Sequence, residues 1–170
     1  MDLDRHIRRI PDFPKPGILF YDISTLLNDG GVWRATVRQM AERVRAYRPD
    51  GLAAIESRGF LLAAPIAYEL GLGFAMIRKA GKLPGPVIRH AYDLEYGSDV
   101  LEVGEGMVAG GRVVLIDDLI ATGGTAAASV TLLRKVGVEV VGAAFLIELE
   151  GLGGMARLGV PADALLRYPA

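Results

Sequence analysis

Two adjacent carboxylates and a glycine-rich turn follow one another closely in this chain. The acids are Asp117 and Asp118, and the turn is Ala121-Thr122-Gly123-Gly124-Thr125. Paired carboxylates offer several acceptors, which suits the two hydroxyls of a ribose and a hydrated divalent cation. Glycine backbone can approach a phosphate closely, and the N–H groups at the start of a following helix favour an anion. The stretch therefore predicts a site for a phosphorylated sugar, with Thr122 and Thr125 as hydroxyl donors.

A buried strand and a helix must position these residues. Residues 113–116 form an apolar run without polar alternation, typical of a strand in a parallel sheet that is covered on both faces. The helix is expected to begin near Thr125, and ligands of such sheets bind beyond the carboxyl ends of the strands. Either half alone, an acid pair that ends a strand or a glycine turn, is more often structural. The order of strand, acids and turn is more specific, and the G-x-G-x-x-G and G-K-[ST] spacings are absent from the sequence.

Two further segments carry charges suited to a second anionic group. Glu56-Ser57-Arg58 follows an apolar strand and precedes a helix, so its N–H groups and its guanidinium can face an anion. The alternative is an ordinary helix N-cap by the serine. Arg78, Lys79 and Lys82 put three positive charges into five residues, although the whole chain has only four lysines. Their alternative is a solvated run of surface charge.

Composition limits the class of protein. A chain of 170 residues, 51% hydrophobic and without a low-complexity tract, fits one compact domain over residues 1–170. A net charge of -1 without a long basic run argues against a general nucleic-acid surface. The sequence contains no cysteine, which excludes disulfides and thiolate metal sites. Because the start lacks a secretory apolar core and no stretch is long enough to span a bilayer, we expect a cytoplasmic protein without membrane or nucleic-acid partners.

Predicted strands and helices alternate along most of the chain, which indicates a parallel α/β sheet. A short helix is expected over residues 2–10, and apolar positions at helical spacing predict an amphipathic helix over 31–47. Residues 87–103 break the rhythm and predict an antiparallel hairpin around Tyr96-Gly97-Ser98 that rises over a sheet edge as a cover. The other predicted elements are strands over 52–55, 74–77, 112–116 and 138–147, helices over 59–70 and 125–135, and a final strand-like run at 164–166.

Five stretches, in a fixed order from about residue 11 to 150, carry a family resemblance. Besides the strand, acids and turn described above, they are residues 13–24 (FPKPGILFYDIS), 56–60 (ESRGF), 77–86 (IRKAGKLPGP) and 94–97 (LEYG). Together they resemble the adenine phosphoribosyltransferase family of type I phosphoribosyltransferases. The resemblance implies a central, mostly parallel sheet flanked by helices, with a flexible antiparallel hairpin lid and a small N-terminal hood segment.

The resemblance implies an enzyme of purine salvage. It would transfer the 5-phosphoribosyl group of 5-phospho-α-D-ribose 1-diphosphate (PRPP) to adenine, giving AMP and diphosphate, and would act as a homodimer. Its cofactor would be Mg²⁺, held through PRPP and water near Asp117 and Asp118 rather than by direct protein ligands. Two alternatives stay open: another purine such as guanine or xanthine as the acceptor, and a non-catalytic regulator that senses PRPP.

The same resemblance gives each candidate residue a role. Asp117 and Asp118 would hold the ribose and stabilise its developing positive charge, while Glu95 would exchange a proton with the purine. The Glu56-Ser57 peptide is expected to be cis or otherwise strained. The remaining assignments are the 5′-phosphate at Ala121, Thr122, Gly123, Gly124 and Thr125, the diphosphate at Glu56, Ser57, Arg58, Arg78, Lys79 and Lys82, adenine at Leu19, Phe20 and Tyr21, and the lid at Tyr92, Glu95 and Tyr96.

Overall fold

A computed structural model describes residues 2–94, 97–108 and 110–170. The chain divides into two compact units, Met1–Gln39 and Met40–Ala170, and the single domain expected from the sequence stays a prediction. A 3₁₀ turn covers Asp4–His6. The other elements are β1 Arg8–Ile10, β2 Phe20–Asp22, α1 Ser24–Asn28, α2 Gly30–Ala46, β3 Gly51–Ile55, α3 Arg58–Leu70, β4 Phe74–Lys79, β5 Val87–Leu94, β6 Gly97–Gly104, β7 Arg112–Ile120, α4 Gly124–Val136, β8 Glu139–Glu150, α5 Gly154–Arg157 and β9 Ala162–Pro169.

The first unit contains a small antiparallel pair, β1 with β2. Arg8 on β1 pairs with Asp22 on β2, and Asp22 also accepts hydrogen bonds from the N–H and hydroxyl of Ser24 at 3.0 and 2.6 Å. The helix predicted over 2–10 is therefore wrong for most of its length, because residues 8–10 pair with a strand that follows later in the chain. The amphipathic helix predicted over 31–47 is confirmed by α2, whose start is capped by the Asp29 carboxylate.

The second unit is built on a seven-stranded sheet in the order β5-β6-β4-β3-β7-β8-β9. Strands β4, β3, β7, β8 and β9 are parallel to one another, whereas β6 is antiparallel to both β4 and β5. All five residues of β3 are buried, which explains why its sequence is apolar without alternation. The predicted mostly parallel sheet is confirmed, as are the predicted 87–103 hairpin and the final strand.

The end of one strand and the placement of the hairpin differ from the sequence prediction. Strand β7 continues through Asp117 and Asp118 to Ile120, because β8 pairs with it as far as Glu148. The acids therefore lie within the strand instead of following it. The hairpin is an extension of the main sheet, because β6 pairs with β4 at its edge. Among the described residues, no helix has both the length and the apolar character needed to cross a bilayer.

Candidate active site

A cavity of about 610 Å³ opens where the chain leaves β3 and β7, at the carboxyl ends of two neighbouring parallel strands. Three of the predicted groups meet there: the segment after β3, the acid pair with its glycine turn, and one lysine of residues 78–82, the end of β4 and the turn after it, which we call the cationic loop. The lining residues are Ile55, Glu56, Ser57, Arg58, Lys79, Asp117, Asp118, Leu119, Ile120, Ala121, Thr122, Gly123, Gly124, Thr125 and Ala126. Segments far apart in sequence therefore form one wall, as expected for a sheet of this kind.

The acid pair has two distinct environments. The carboxylate of Asp118 is almost fully buried, and its Oδ2 lies 2.8 Å from Nε of Arg58. Asp117 accepts the backbone N–H of Asp118 through Oδ1 at 2.9 Å. Burial raises the pKa of Asp117 well above its ordinary value, and the neighbouring charge of Asp118 raises it further. Asp117 thus takes up a proton more readily than an ordinary aspartate, while Asp118 has a cationic partner.

The turn from β3 into α3 brings its backbone close to the acids. A Cβ built on Gly59 would lie 2.9 Å from Oδ1 of Asp117 and 3.1 Å from the carbonyl oxygen of Ile116, so a residue without a side chain is required there. The Glu56-Ser57 peptide is cis, as predicted. Ser57 occupies the N-cap position of α3, but its side chain makes no capping hydrogen bond. The ordinary N-cap that was the alternative reading of this serine is therefore not formed.

The glycine turn after β7 leads directly into α4, which confirms the predicted helix. Gly123 has φ +77°, and a Cβ at this position would lie 2.6 Å from the carbonyl oxygen of Gly154. The first turn of α4 contains no acidic residue, and no side chain caps it. Its first N–H groups have no acceptor within the helix. Gly124, Thr125 and Ala126 line the cavity, so the start of the helix supplies a place suited to an anion there.

The cationic loop is held to the cavity by acids. Oε2 of Glu56 lies 2.6 Å from Nζ of Lys82 and 3.6 Å from Nη2 of Arg78, and its Oε1 accepts the backbone N–H of Lys79. Burial alone would raise the pKa of Glu56, but the hydrogen bonds from Lys82 and from Lys79 outweigh it and lower that pKa. Nζ of Lys79 lies 2.9 Å from Oδ2 of Asp99, whose hydrogen bond and charge raise the pKa of Lys79. Of the three predicted cations, Lys79 lines the cavity, and the other two contact its wall through Glu56.

The side chain of Tyr92 on the hairpin contacts the end of the glycine turn. The hydroxyl of Tyr92 on β5 lies 3.3 Å from Oγ1 of Thr125 at the start of α4. Two residues predicted for different roles, lid and phosphate site, are therefore in contact. Glu95 and Tyr96, the other two lid residues predicted from the sequence, lie outside the described residues.

The segment predicted to bind adenine belongs to the first unit. Phe20 and Tyr21 lie on β2, where Tyr21 is buried and the ring of Phe20 packs edge-on against that of Phe13 with centroids 5.1 Å apart. Leu19 immediately precedes the strand and is exposed. The adenine-binding role of Leu19, Phe20 and Tyr21 stays a prediction.

Sequence reasoning missed several residues that shape the site. Gly59 had a usable signal, since a glycine at the second position of a helix that follows a buried strand indicates close packing of backbone. Asp99, the partner of Lys79, had none, because the contact depends on the pairing of β6 with β4. Among the described residues, no group of three or more His, Cys, Asp or Glu side chains is arranged to hold a metal ion.

Comparison with known proteins agrees with this geometry. A family model described as "Phosphoribosyl transferase domain" matches residues 24–157. The chain belongs to the phosphoribosyltransferase family. A similar relative is the adenine phosphoribosyltransferase of Rhodospirillum centenum, 59% identical over 169 residues that cover 99% of each chain. This and other relatives of the same name place the chain among the adenine phosphoribosyltransferases of the family.

Solved structures of phosphoribosyltransferases share the fold over almost the whole chain. The adenine phosphoribosyltransferase of Thermoanaerobacter pseudethanolicus is 43% identical, with a TM-score of 0.93 and coverage of 98% of both chains. The enzyme of Saccharomyces cerevisiae is 35% identical, with a TM-score of 0.90 and coverage of 97% of both chains. That yeast enzyme was crystallised with D-2,5-dideoxy-2,5-imino-altritol 1,6-bisphosphate and adenine. The predicted family and fold are confirmed.

Proposed function

We propose that the protein catalyses the transfer of the 5-phosphoribosyl group of PRPP to adenine, forming AMP and diphosphate. One observation carries the proposal: a single cavity gathers the acid pair, the glycine turn at the start of α4, the turn after β3 and Lys79. A sugar with a phosphate at one end and a diphosphate at the other needs donors at both ends and acceptors between them. Relatives over the full length of the chain are named for this reaction.

The geometry supports one orientation of PRPP. The 5′-phosphate would bind at the turn, where the N–H groups of residues 121–125 and the hydroxyls of Thr122 and Thr125 supply donors. The ribose hydroxyls would lie against Asp117 and Asp118. The diphosphate would then extend toward the turn after β3 and toward the cationic loop, where Arg58 and Lys79 line the same cavity.

The reaction breaks the bond between C1 of the ribose and the diphosphate oxygen, which leaves with the electron pair. N9 of adenine supplies the pair for the new bond, and the proton of the purine ring passes to a base. We assign that proton transfer to Glu95. Positive charge that develops on the ribose would be stabilised by the adjacent carboxylates, and charge on the leaving group by Arg58, Arg78, Lys79 and Lys82.

The hairpin has a separate task. A sugar with positive character at C1 reacts with water unless water is excluded. Contact between Tyr92 and Thr125 supports a role for the hairpin in covering the phosphate end of the site. Tyr92 and Tyr96 would order this lid, and adenine would be recognised by main-chain groups of Leu19 and Tyr21 beside the ring of Phe20.

We further propose Mg²⁺ as the cofactor and a cytoplasmic homodimer as the working form. Mg²⁺ commonly binds through substrate phosphates and water, and the carboxylates of Asp117 and Asp118 in the cavity would accept hydrogen bonds from water on the ion rather than bind it directly. When bound, the ion would neutralise charge on the diphosphate. Leu61, Tyr68 and Met76 are large apolar side chains exposed on α3 and β4, which supports a contact with a second copy.

The test is a substrate panel. Purified protein is mixed with PRPP, Mg²⁺ and each of adenine, guanine, hypoxanthine and xanthine, and the nucleotide is identified by chromatography and mass. We expect AMP and equimolar diphosphate with adenine, and no product with the 6-oxopurines. Formation of a 6-oxopurine nucleotide in preference to AMP, or PRPP binding without turnover of any purine, would overturn the proposal.

A further inference from the structure

A buried carboxylate outside the cavity, Glu102, is in contact with the cationic loop. Glu102 lies on β6 and is 1% exposed. In the antiparallel registers it stands opposite Arg78 on β4 and Arg89 on β5, so it lies between two arginine positions on one face of the sheet. A charged group so deeply buried is costly unless its oxygens are hydrogen-bonded.

Both oxygens of Glu102 have donors, and the two donors differ in kind. Oε1 accepts Nε of Arg89 at 2.6 Å, which is a charge-assisted contact. Oε2 accepts the backbone N–H of Gly81 at 3.2 Å. Gly81 lies between Lys79 and Lys82, the two lysines assigned to diphosphate. One oxygen therefore fixes the carboxylate in the sheet, and the other fixes the backbone of the loop.

The loop backbone has three consecutive anchors. The N–H of Lys79 bonds to the Glu56 carboxylate, that of Ala80 to the carbonyl oxygen of Val100 at 3.0 Å, and that of Gly81 to Glu102. Glu56 lines the cavity, so its contacts are open to exchange when an anionic ligand binds. Glu102 does not line the cavity and stays buried. Its contact with Gly81, like that of Ala80 with Val100, does not involve a group of the cavity and is expected to persist after a ligand has attracted Lys79 and Lys82.

We propose that Glu102 is a positioning residue for diphosphate binding: held by Arg89, it fixes the Gly81 N–H and thereby aims Lys79 and Lys82 at the cavity. This inference rests on the proposed function, because it takes the loop to be the diphosphate site. It predicts an effect on PRPP that is not shared by adenine. Catalytic groups must be held close to their productive geometry, and misplacement by about 1 Å can cost about 10²-fold.

The first variant is Glu102→Gln. The glutamine amide has one acceptor oxygen, and Arg89 binds it in preference to Gly81 because a charged donor binds more strongly. The NH₂ group of the amide then faces the N–H of Gly81, and neither donor has an acceptor. We expect the KM for PRPP to rise about tenfold or more, with the KM for adenine within about twofold. Hydrogen exchange of the Gly81 amide should accelerate. Asp163→Asn is the matched control, since it breaks another carboxylate–arginine pair, with Arg43, on edge strand β9.

Two double variants separate positioning from the mere loss of an ion pair. In Glu102→Gln with Arg89→Met, the amide oxygen is released to accept the Gly81 N–H, so the PRPP KM should return to within about threefold of the wild-type value. In Glu102→Met with Arg89→Met, the buried carboxylate is replaced by an apolar side chain and its exposed partner is removed with it, but Gly81 has no acceptor, so the KM should stay raised. These two also decide the question if Glu102→Gln alone fails to fold.

Equal PRPP KM values in the two double variants would overturn the positioning role, and so would a folded Glu102→Gln enzyme with a wild-type KM. Failure of the proposed function is a different result, since the wild-type protein would then form no AMP. In that case Gly81 exchange in the same variants still reports whether Glu102 fixes the loop.

Discussion

Replacement of Gly123 by alanine tests whether the glycine turn is the phosphate site. Gly123 has φ +77°, a conformation that costs an alanine about 1–2 kcal/mol. The new Cβ would also lie 2.6 Å from the carbonyl oxygen of Gly154, about 0.8 Å short of the 3.4 Å at which ordinary van der Waals contact begins. The atoms of Gly154 that a Cβ on Gly123 would meet all belong to the backbone, so no side-chain rotation can relieve the clash. The turn must therefore move by a large part of an ångström.

A shift of this size displaces N–H donors that must lie about 2.7–3.2 Å from phosphate oxygens. We expect Gly123→Ala to raise the KM for PRPP and the Kd for AMP by about 10- to 100-fold. Steady-state kinetics give the first quantity, and isothermal titration calorimetry with AMP gives the second. Adenine binding without PRPP should be unaffected.

Gly137→Ala is the matched control. Gly137 ends the same helix with φ +94° but has open space around its Cβ position, so alanine there carries the conformational cost without the clash. It should lower the free energy of unfolding by about 1–2 kcal/mol and leave the PRPP KM within about twofold. If Gly123→Ala and Gly137→Ala show the same PRPP KM, the turn does not hold the phosphate and the reasoning fails.

Three further predictions concern the acids and the metal. Asp117→Asn with Asp118→Asn should lower kcat by about 10²-fold or more while circular dichroism shows an unchanged fold, and near-normal turnover would contradict the assignment of the ribose site. The hydrogen bonds from Ser24 lower the pKa of Asp22 from 3.8 to about 2, so its stabilising contribution is present above pH 3.8 and is lost as the pH falls toward 2. The difference in unfolding free energy between wild type and Asp22→Asn, measured in urea, should shrink between about pH 4 and pH 2, and a constant difference would refute this. Chelation of divalent ions should abolish AMP formation and added Mg²⁺ should restore it; full activity in excess chelator would exclude the proposed cofactor.

Local sequence patterns predicted most of the second unit. The apolar run at 113–116 and the glycine turn specify a strand and a helix start within a few residues. This part of the cavity wall could therefore be predicted from the sequence. The continuation of β7 to Ile120 could not be predicted from the sequence. Asp117 and Asp118 are poor strand formers, and pairing with β8 keeps them extended. The helix expected at 2–10 failed for a similar reason, because β1 depends on a partner strand elsewhere in the chain.

In the candidate site, too, local features could be predicted from the sequence and contacts between distant segments could not. Residues contributed by continuous motifs, such as Ser57 and Thr125, line the cavity as expected. Contacts that join different motifs were beyond the sequence, because they depend on strand register. The pairing of Lys79 with Asp99 and of Gly81 with Glu102 follows from how β6 lies beside β4, which no local pattern encodes.

Three cations of the site are each paired with a carboxylate in the free protein. Arg58 is paired with Asp118, Lys82 with Glu56 and Lys79 with Asp99. An incoming anion must therefore compete with a carboxylate for each of these positive groups. Inorganic phosphate would displace too few of these acids to bind tightly. The carboxylates of the protein thus compete with every phosphate compound of the cell for these cations. Only a ligand long enough to contact several cations and the glycine turn at once would displace them and bind tightly.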